Sequence, residues 1–326
     1  TPLMPGSKIP FASPLNSFEI MSSPSNPETG SLGISIRVAG LTAVTLDAGK
    51  IGFRKEAGVR KDEGTFDQLA AFARDCLQEA GEVERIGIAV PGLISSDQDR
   101  VEYSAAFPEL SRTELGSMLA DALGKPVSVE NDANAGALGE YNFGAGRGAE
   151  SLFYATLGTG IGGAFVMNGE VWRGRSGFAG EFGYVAINSD GLRLEDVASG
   201  PNIVRRALGR IHQDATSDLA LLDESELTVE KMVESAVRGD DFALMMLERT
   251  GTYIGSALAS VINLLNVERV VLGGLIMSAG ESVLESIVSR ARELSFGPSF
   301  RDLAIVSGEL GTDAYAIGAC IVGNGK

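Results

Sequence analysis

Strand-like and helix-like segments alternate along this chain, and the same order of segments begins twice. Alternating apolar segments at 32–38 and 41–46 open the first series, and a helical pattern follows from a predicted capping box at 65–68. A second series opens with a strand near Leu152. Strands that alternate with helices predict a mostly parallel sheet covered by helices, so the expected fold class is α/β.

The remaining apolar patterns extend both series. They predict strands at 86–90, 127–129, 164–167, 267–272 and 303–306, and helices at 115–123, 281–294 and 313–322. With 326 residues the chain is long enough for two lobes, each with its own core. Residues 1–30 contain six prolines and are predicted to form a tail or linker.

The charge, the cysteine content and the apolar runs of the chain indicate which partners and which location to expect. A net charge of −16 opposes binding to a phosphate backbone, because duplex recognition normally requires a basic face. Cys76 and Cys320 both lie in apolar helical patterns, so we predict buried thiols rather than a disulfide or a metal site. The sequence has no apolar run of membrane-spanning length and no recognisable leader, so a cytoplasmic protein without a membrane partner is expected.

A polar motif, Glu-Asn-Asp-Ala-Asn at 130–134, follows the predicted strand at 127–129. Ligands of open α/β folds bind at the carboxyl ends of parallel strands, so Asn131 and Asp132 are candidate site residues. A carboxylate is the simplest general base for a sugar hydroxyl, which makes Asp132 the candidate base. The alternative is that these polar residues only cap a helix starting near Ala135.

Two glycine-rich turns are candidates for binding an anion or a nucleotide. The first lies between two apolar strands, where glycines allow backbone amides to approach an anionic group, and the alternative is a hairpin without a ligand. The second follows the strand at 267–272, and either close approach to a nucleotide or tight packing would explain it. The candidate residues are Gly158, Thr159, Gly160, Gly162, Gly163, Gly273 and Gly274.

Two further carboxylates, Glu181 and Glu195, lie in the segments 180–184 and 194–200, which come after the first glycine turn. Either could accept hydrogen bonds from the neighbouring hydroxyls of a sugar. The alternative for each is a solvated acid at the surface.

Taken in order, these segments resemble the ROK (repressor, open reading frame, kinase) family. The motifs are Glu-Asn-Asp-Ala-Asn-Ala, Leu-Gly-Thr-Gly-Ile-Gly-Gly, Trp-Arg-Gly-x-x-Gly-x-Ala-Gly-Glu-Phe-Gly, Leu-Glu-x-x-Ala-Ser-Gly and Val-Leu-Gly-Gly. The resemblance extends from about Leu32 to the last residue and implies the two-lobed actin-like ATPase (ribonuclease H-like) fold of sugar kinases. The expected smaller lobe comprises 31–133 and 308–326, and the larger lobe comprises 134–307.

The resemblance also implies a site in the cleft between the lobes. The sugar would be bound by Gly92, Asn131, Asp132, Glu181 and Glu195, with Asp132 as base. The turn at 158–163 would bind phosphate, and Gly273 and Gly274 would lie near adenosine. ATP with Mg²⁺ is the implied cofactor, and a homodimer the implied assembly.

Two departures from the family limit what can be transferred. The phosphate motif of family kinases, Asp-x-Gly-Gly-Thr, aligns with Ser35-Ile36-Arg37-Val38-Ala39, so binding and turnover of ATP are expected to be weak or lost. The His and three Cys of the family's zinc hairpin are missing, and Tyr184 stands in place of the His. No structural zinc or other metal is therefore predicted.

The leading hypothesis is the effector-sensing core of a sugar-responsive transcriptional regulator. It is expected to be dimeric through the larger lobe and to reach DNA only through an upstream domain that is absent from this chain. The alternative is an ATP-dependent hexose or N-acetylhexosamine kinase that resembles glucokinase and uses Asp132 as base. A scaffold that binds no sugar is the third class.

Overall fold

A computed structural model of the chain describes residues 30–60, 62–211 and 217–324. The predicted tail, residues 1–30, therefore lies outside the described residues except for Gly30.

The first series of elements runs from residue 31 to residue 143. It comprises β1 (Ser31–Arg37), β2 (Gly40–Asp47), β3 (Lys50–Ala57), α1 (Thr65–Glu79), β4 (Arg85–Val90), β5 (Leu93–Ile94), β6 (Val101–Tyr103), α2 (Leu115–Leu123), β7 (Val127–Asn131) and α3 (Asp132–Phe143).

The second series begins at residue 151. It comprises β8 (Ser151–Leu157), β9 (Ile161–Met167), β10 (Glu170–Val171), α4 (Glu195–Ala198), α5 (Gly200–Ile211), α6 (Val229–Val237), α7 (Asp241–Leu265), β11 (Arg269–Gly273), α8 (Glu281–Leu294), α9 (Gly297–Arg301), β12 (Ala304–Ser307) and α10 (Asp313–Gly323).

Two five-stranded sheets with the same strand order form the frame. The first has the order β3-β2-β1-β4-β7 and the second β10-β9-β8-β11-β12. In the first sheet, β3, β2 and β1 pair antiparallel, and β4 and β7 run parallel to β1. In the second sheet, β10, β9 and β8 pair antiparallel, and β11 and β12 run parallel to β8. This doubled arrangement confirms the predicted two-lobed α/β fold.

Each sheet carries its own core, as the length of the chain predicts. Leu32, Ile34 and Ile36 of β1 pack with apolar side chains of α1 and α2. In the second lobe, β8 and β11 pack against helices that include α7 and α8. Burying one face of each sheet under helices is what stabilises this architecture.

Helices α3 and α10 pack against each other between the two sheets. Helix α10 also packs on β1 and β4, while α3 packs on β8 and β9. Small residues allow this close contact: an added Cβ at Gly318 would overlap the backbone oxygen of Ala135. The pair α3 and α10 is therefore the structural link between the two lobes.

The structure corrects two local predictions. Helix α1 has Gly64 as its N-cap without a side-chain capping bond, and Thr65 instead donates a hydrogen bond to Glu109, so the predicted capping box is wrong. Helix α3 begins at Asp132 rather than near Ala135. No helix in the described part of the chain combines the length and apolar character needed to cross a bilayer.

Candidate functional site

A small pocket lies where β7 meets α3 and faces β9. Its walls include the end of the first sheet, the start of α3 and the segment that follows β10. The lining residues are Gly92, Leu93, Asn131, Ala133, Asn134, Gly162, Gly163, Gly177, Phe178, Ala179, Gly180 and Glu181. The structure thus brings residues of both lobes to one pocket.

Asn131 is both a helix cap and a pocket residue. Its Oδ1 accepts a hydrogen bond from the backbone N–H of Asn134 at 3.0 Å, and its Nδ2 donates to the backbone oxygen of Gly92 at 2.8 Å. The capping alternative is therefore correct for Asn131, and the second bond links it to Gly92. Gly92 has φ 150° and no room for a Cβ, because the backbone oxygen of Tyr103 lies against it.

Asp132 is the first residue of α3 and is half-buried. Its Oδ1 accepts a hydrogen bond from the N–H of Ala133 at 3.0 Å. Burial raises the pKa of Asp132 to about 6, against the opposing effects of backbone hydrogen bonds and the positive charge of Arg37. A carboxylate with such a pKa is suited to accept a proton near neutral pH.

The carboxyl groups of Glu181 and Glu195 both have pKa values raised above the ordinary value for glutamate. The pKa of Glu181 is raised by burial and then by the charges of Glu195 and Asp132. The pKa of Glu195 is raised by burial and by Asp196. Glu181 lines the pocket, whereas Glu195 lies against Gly183, where an added Cβ would come within 2.6 Å of its Oε2.

The two glycine turns lie side by side. Gly273 pairs with Thr156 in the parallel ladder. Gly274 has a left-handed φ of 93°, and a Cβ added there would come within 2.4 Å of the backbone oxygen of Leu157, the last residue of β8. Tight packing thus explains Gly274. The first turn is shorter than predicted, because Gly162 and Gly163 belong to β9.

Sequence reasoning missed the ion pair between Glu130 and Arg173. Glu130 is buried, and Arg173 Nε donates to its Oε2 at 3.1 Å, while Gln98 and Asn134 also donate to this carboxylate. The pair links the end of β7 to the segment that leads to Glu181. Two features of the sequence could have indicated this pair: the arginine of the Trp-Arg-Gly motif, and a glutamate at the end of a buried strand.

The last residue of β1, Arg37, is a cation that lies beside helix α10. The guanidinium carbon of Arg37 lies 5.6 Å from the ring centroid of Tyr315 in α10. Ser35 is fully buried two residues earlier. Val38 and Ala39 form the exposed turn between β1 and β2. The β1 side of the site therefore carries a positive charge and no carboxylate.

The segment around Tyr184 is a short turn. Tyr184 is 59% exposed, and the guanidinium carbon of Arg193 lies 4.4 Å from the centroid of its ring. The N–H of Leu194 closes the turn by donating to the backbone oxygen of Val185 at 2.9 Å. Within the described ranges, no group of three or more His, Cys, Asp or Glu side chains is placed to hold a metal ion. The expectation of no zinc stays a prediction.

Comparison with known proteins connects this geometry to one family. A family model described as "ROK family" matches residues 40–325. The glucokinase of Thermotoga maritima is 32% identical over 274 residues, covering 80% of this chain and 86% of that protein.

Two solved structures share the fold over nearly the whole described chain. One is a ROK family glucokinase from Streptomyces griseus in complex with glucose and AMPPNP, with TM-score 0.81, 29% identity and coverage of 91% of this chain and 99% of that chain. The other is a ROK family transcriptional regulator, a homologue of the E. coli MLC protein, with TM-score 0.79, 28% identity and coverage of 90% and 78%.

Proposed function

The chain belongs to the ROK family, and we propose that its cleft binds a hexose-type sugar as an effector, with weak or no phosphoryl transfer. It shares the two-lobed actin-like ATPase fold with solved ROK proteins. Relatives include both a glucokinase and a regulator, so family membership alone does not choose between catalysis and sensing.

The sugar-binding part of the proposal is supported by the polar groups around the pocket. Asn131 is oriented by its two hydrogen bonds, and the negative charge of Asp132 contributes to the raised pKa of Glu181. Carboxylates and amides at fixed positions are suited to the hydroxyls of a sugar ring. The glucokinase from Streptomyces griseus, which shares this fold, was solved with glucose.

The single observation that favours sensing over catalysis is the position of Arg37. Phosphoryl transfer depends on metal ions and backbone amides that neutralise and position phosphate oxygens. On the β1 side of this cleft, a guanidinium and a buried serine stand where family kinases have the Asp-x-Gly-Gly-Thr motif. These residues do not fit a magnesium-bound triphosphate, since a carboxylate and two bare glycines are replaced.

A regulator must pass the sugar signal to DNA. We propose that the sugar changes the angle between the smaller lobe, 31–133 with 308–326, and the larger lobe, 134–307, within a homodimer. The chain has a net charge of −16, so contact with DNA is assigned to an upstream domain rather than to these lobes.

Two measurements on the same preparation test the proposal. A thermal-shift series with glucose, mannose, N-acetylglucosamine, fructose and xylose should raise the melting temperature for at least one sugar. A coupled ADP-release assay with ATP and Mg²⁺ over the same panel should give weak turnover or none. Robust turnover on any of these sugars would show that the protein is a kinase.

A sugar kinase is the second candidate, and the raised pKa of the Asp132 carboxylate favours it. With a pKa raised to about 6, Asp132 is suited to take the proton of a sugar hydroxyl. In that case D132N should lower turnover by at least about 10²-fold, while the sugar affinity changes little. Equal turnover in D132N and the wild type would exclude Asp132 as the base.

A further inference from the structure

Phe178 lies at the entrance of the pocket. Its side chain lines the pocket together with Asn131 and Glu181, yet it is 36% exposed to solvent. A side chain that borders both the pocket and the solvent forms part of the entrance. In the motif that runs from Trp172 to Gly183, Phe178 occupies a position at which no particular residue is specified. The residue at this position is therefore free to differ between proteins that bind different ligands.

The turn that carries this ring is fixed by contacts on both sides. The backbone N–H of Ala179 donates to the backbone oxygen of Arg173 at 3.1 Å and closes the turn. The side chain of Arg173 is bound by the buried carboxylate of Glu130 in β7. Gly177 packs against β5, since a Cβ added there would come within 2.6 Å of the backbone oxygen of Ile94. The position of the ring is therefore set by contacts with two elements of the first series.

The pocket is small enough for the size of its ligand to matter. It encloses about 290 Å³, including the space at its open side. Ligand pockets commonly measure about 300–1,000 Å³, so this pocket is at the lower limit of the range. Leu93, Phe178 and Ala179 supply apolar walls, while Asn131 and Glu181 supply polar atoms. Such a pocket suits one polyhydroxylated ring, and a second ring attached to the first would reach the entrance that Phe178 borders.

We propose that Phe178 is a specificity-determining residue whose ring obstructs the entrance to a second sugar ring, so that the pocket selects a free monosaccharide over a disaccharide. The inference rests on the proposed sugar-binding function and specifies the size of its ligand. A packed wall accommodates an extra group only with strain, so an additional ring is rejected sterically. The same aromatic ring offers an apolar surface to the C–H groups of the correct sugar. Phe178 thus contributes both to the fit of one ligand and to the exclusion of larger ones.

Calorimetric titration of the complete chain with matched monosaccharides and disaccharides tests the inference. The probes are glucose with maltose and cellobiose, mannose with mannobiose, N-acetylglucosamine with chitobiose, fructose with sucrose, and xylose with xylobiose. The monosaccharide that binds should do so at least about tenfold more tightly than its matched disaccharides, because the pocket rejects the second ring.

Two variants shorten the side chain, and a matched variant controls for the loss of an exposed phenylalanine. F178A should lower the discrimination to less than about threefold, chiefly by tightening disaccharide binding. F178L should give an intermediate value and serves as the second variant if F178A does not fold. F296A removes a phenylalanine that is 67% exposed just before α9 and does not line the pocket, so the discrimination should stay unchanged. A gain of disaccharide binding cannot result from lost stability, because an unfolded fraction weakens the binding of both sugars alike.

The possible outcomes separate this inference from the proposed function. Disaccharides that bind the wild type less than tenfold more weakly than the monosaccharide overturn the size selection and leave the sugar-binding proposal intact. A discrimination that stays above threefold in both F178A and F178L overturns the role of Phe178. A loss of discrimination caused only by weaker monosaccharide binding also overturns it, because the ring would then be a contact and not an obstruction. Failure of every probe to bind overturns the proposed function, and this inference with it.

Discussion

At the residue scale, Asp132 links the electrostatics of the site to the stability of the protein. Its carboxylate has a pKa raised to about 6 by burial, against an ordinary value of 3.8. A carboxyl group with a raised folded-state pKa binds its proton more tightly in the folded protein. Above pH 6 the charged group therefore opposes folding, and this penalty disappears as the pH falls from 6 toward 3.8.

D132N should therefore stabilise the protein at pH 7.5, by up to about 3 kcal/mol, because the neutral amide avoids the cost of a buried charge. Near pH 4 the advantage should be almost gone, since the wild-type carboxyl is then protonated in the folded state. The free energy of unfolding in urea, measured for both proteins at the two pH values, checks this. A difference that does not change with pH would contradict the assignment.

The buried pair between Glu130 and Arg173 is a second test at this scale. R173M should destabilise the protein by about 3–5 kcal/mol, because it leaves the Glu130 carboxylate buried without its cation. The double variant E130Q/R173M should be less destabilised than the sum of the single variants. The control is E293Q, which removes the exposed partner of Arg290 in a surface ion pair. It should change the free energy of unfolding by less than about 0.5 kcal/mol.

These two features also show what the sequence reveals about the site. The positions of Asn131 and Asp132, where a buried strand ends and a helix begins, could be predicted because they depend only on local structure. The bond from Arg173 to Glu130 joins residues that are far apart in the chain, so it depends on how the segment after β10 folds back onto β7. No local pattern specifies that contact. The same is true of Arg37 and Tyr315.

At the scale of elements, helices with sharp end signals were predicted best. The predicted helices 115–123 and 281–294 match α2 and α8. Helix α2 ends at Gly124 in a left-handed conformation, which a glycine adopts at little cost. The capping box at Thr65 was wrong because a tertiary partner, Glu109, accepts the hydrogen bond from the Thr65 hydroxyl. Tertiary contacts override local capping preferences in such cases.

The contact between α3 and α10 should be sensitive to a single methyl group. In G318A the new Cβ would overlap the backbone oxygen of Ala135, so the helices must separate, at a cost of about 2 kcal/mol or more. The matched control is G209A in α5, where no described atom lies within 4 Å of the new Cβ. That variant should be stabilised by about 0.5–1 kcal/mol because alanine favours the helix.

Chemical denaturation of both variants and the wild type checks this contrast. The two substitutions are chemically identical, so a difference in sign isolates the helix contact from the intrinsic preference of alanine. Equal effects of G318A and G209A would mean that α3 and α10 do not pack as closely as the structure indicates.

At the scale of the whole molecule, the doubled strand order was predictable and the placement of the lobes was not. The repeated opening of antiparallel strands followed by parallel strands follows from the order of segments in the sequence. The packing of α10 on the first sheet brings the end of the chain back beside its beginning, where Cys320 Sγ donates to the backbone oxygen of Ser31 at 3.1 Å. Periodicity within a segment contains no information about such a long-range contact.

Closure of the two lobes on a sugar is the prediction that belongs to this scale. The pocket is lined by Gly92 and Asn131 from the first lobe and by Gly162, Gly163 and Glu181 from the second. A ligand that hydrogen-bonds to both sides binds the closed arrangement more tightly and shifts the population toward it. Since α3 and α10 link the lobes, we expect the rotation to occur around this helix pair.

Small-angle X-ray scattering at a saturating concentration of the sugar identified by thermal shift should show the closure. The radius of gyration is expected to be roughly 20 Å for one compact chain of this length and larger for the proposed homodimer, and it should decrease on the order of 1 Å. The matched control is a sugar from the same panel that gives no thermal shift. It affects the solvent in the same way as the binding sugar does, and it should leave the radius unchanged. An unchanged radius with the binding sugar would mean that the ligand contacts one lobe only. Binding would then cause no rotation of the lobes, and the proposed mechanism of sensing would be wrong.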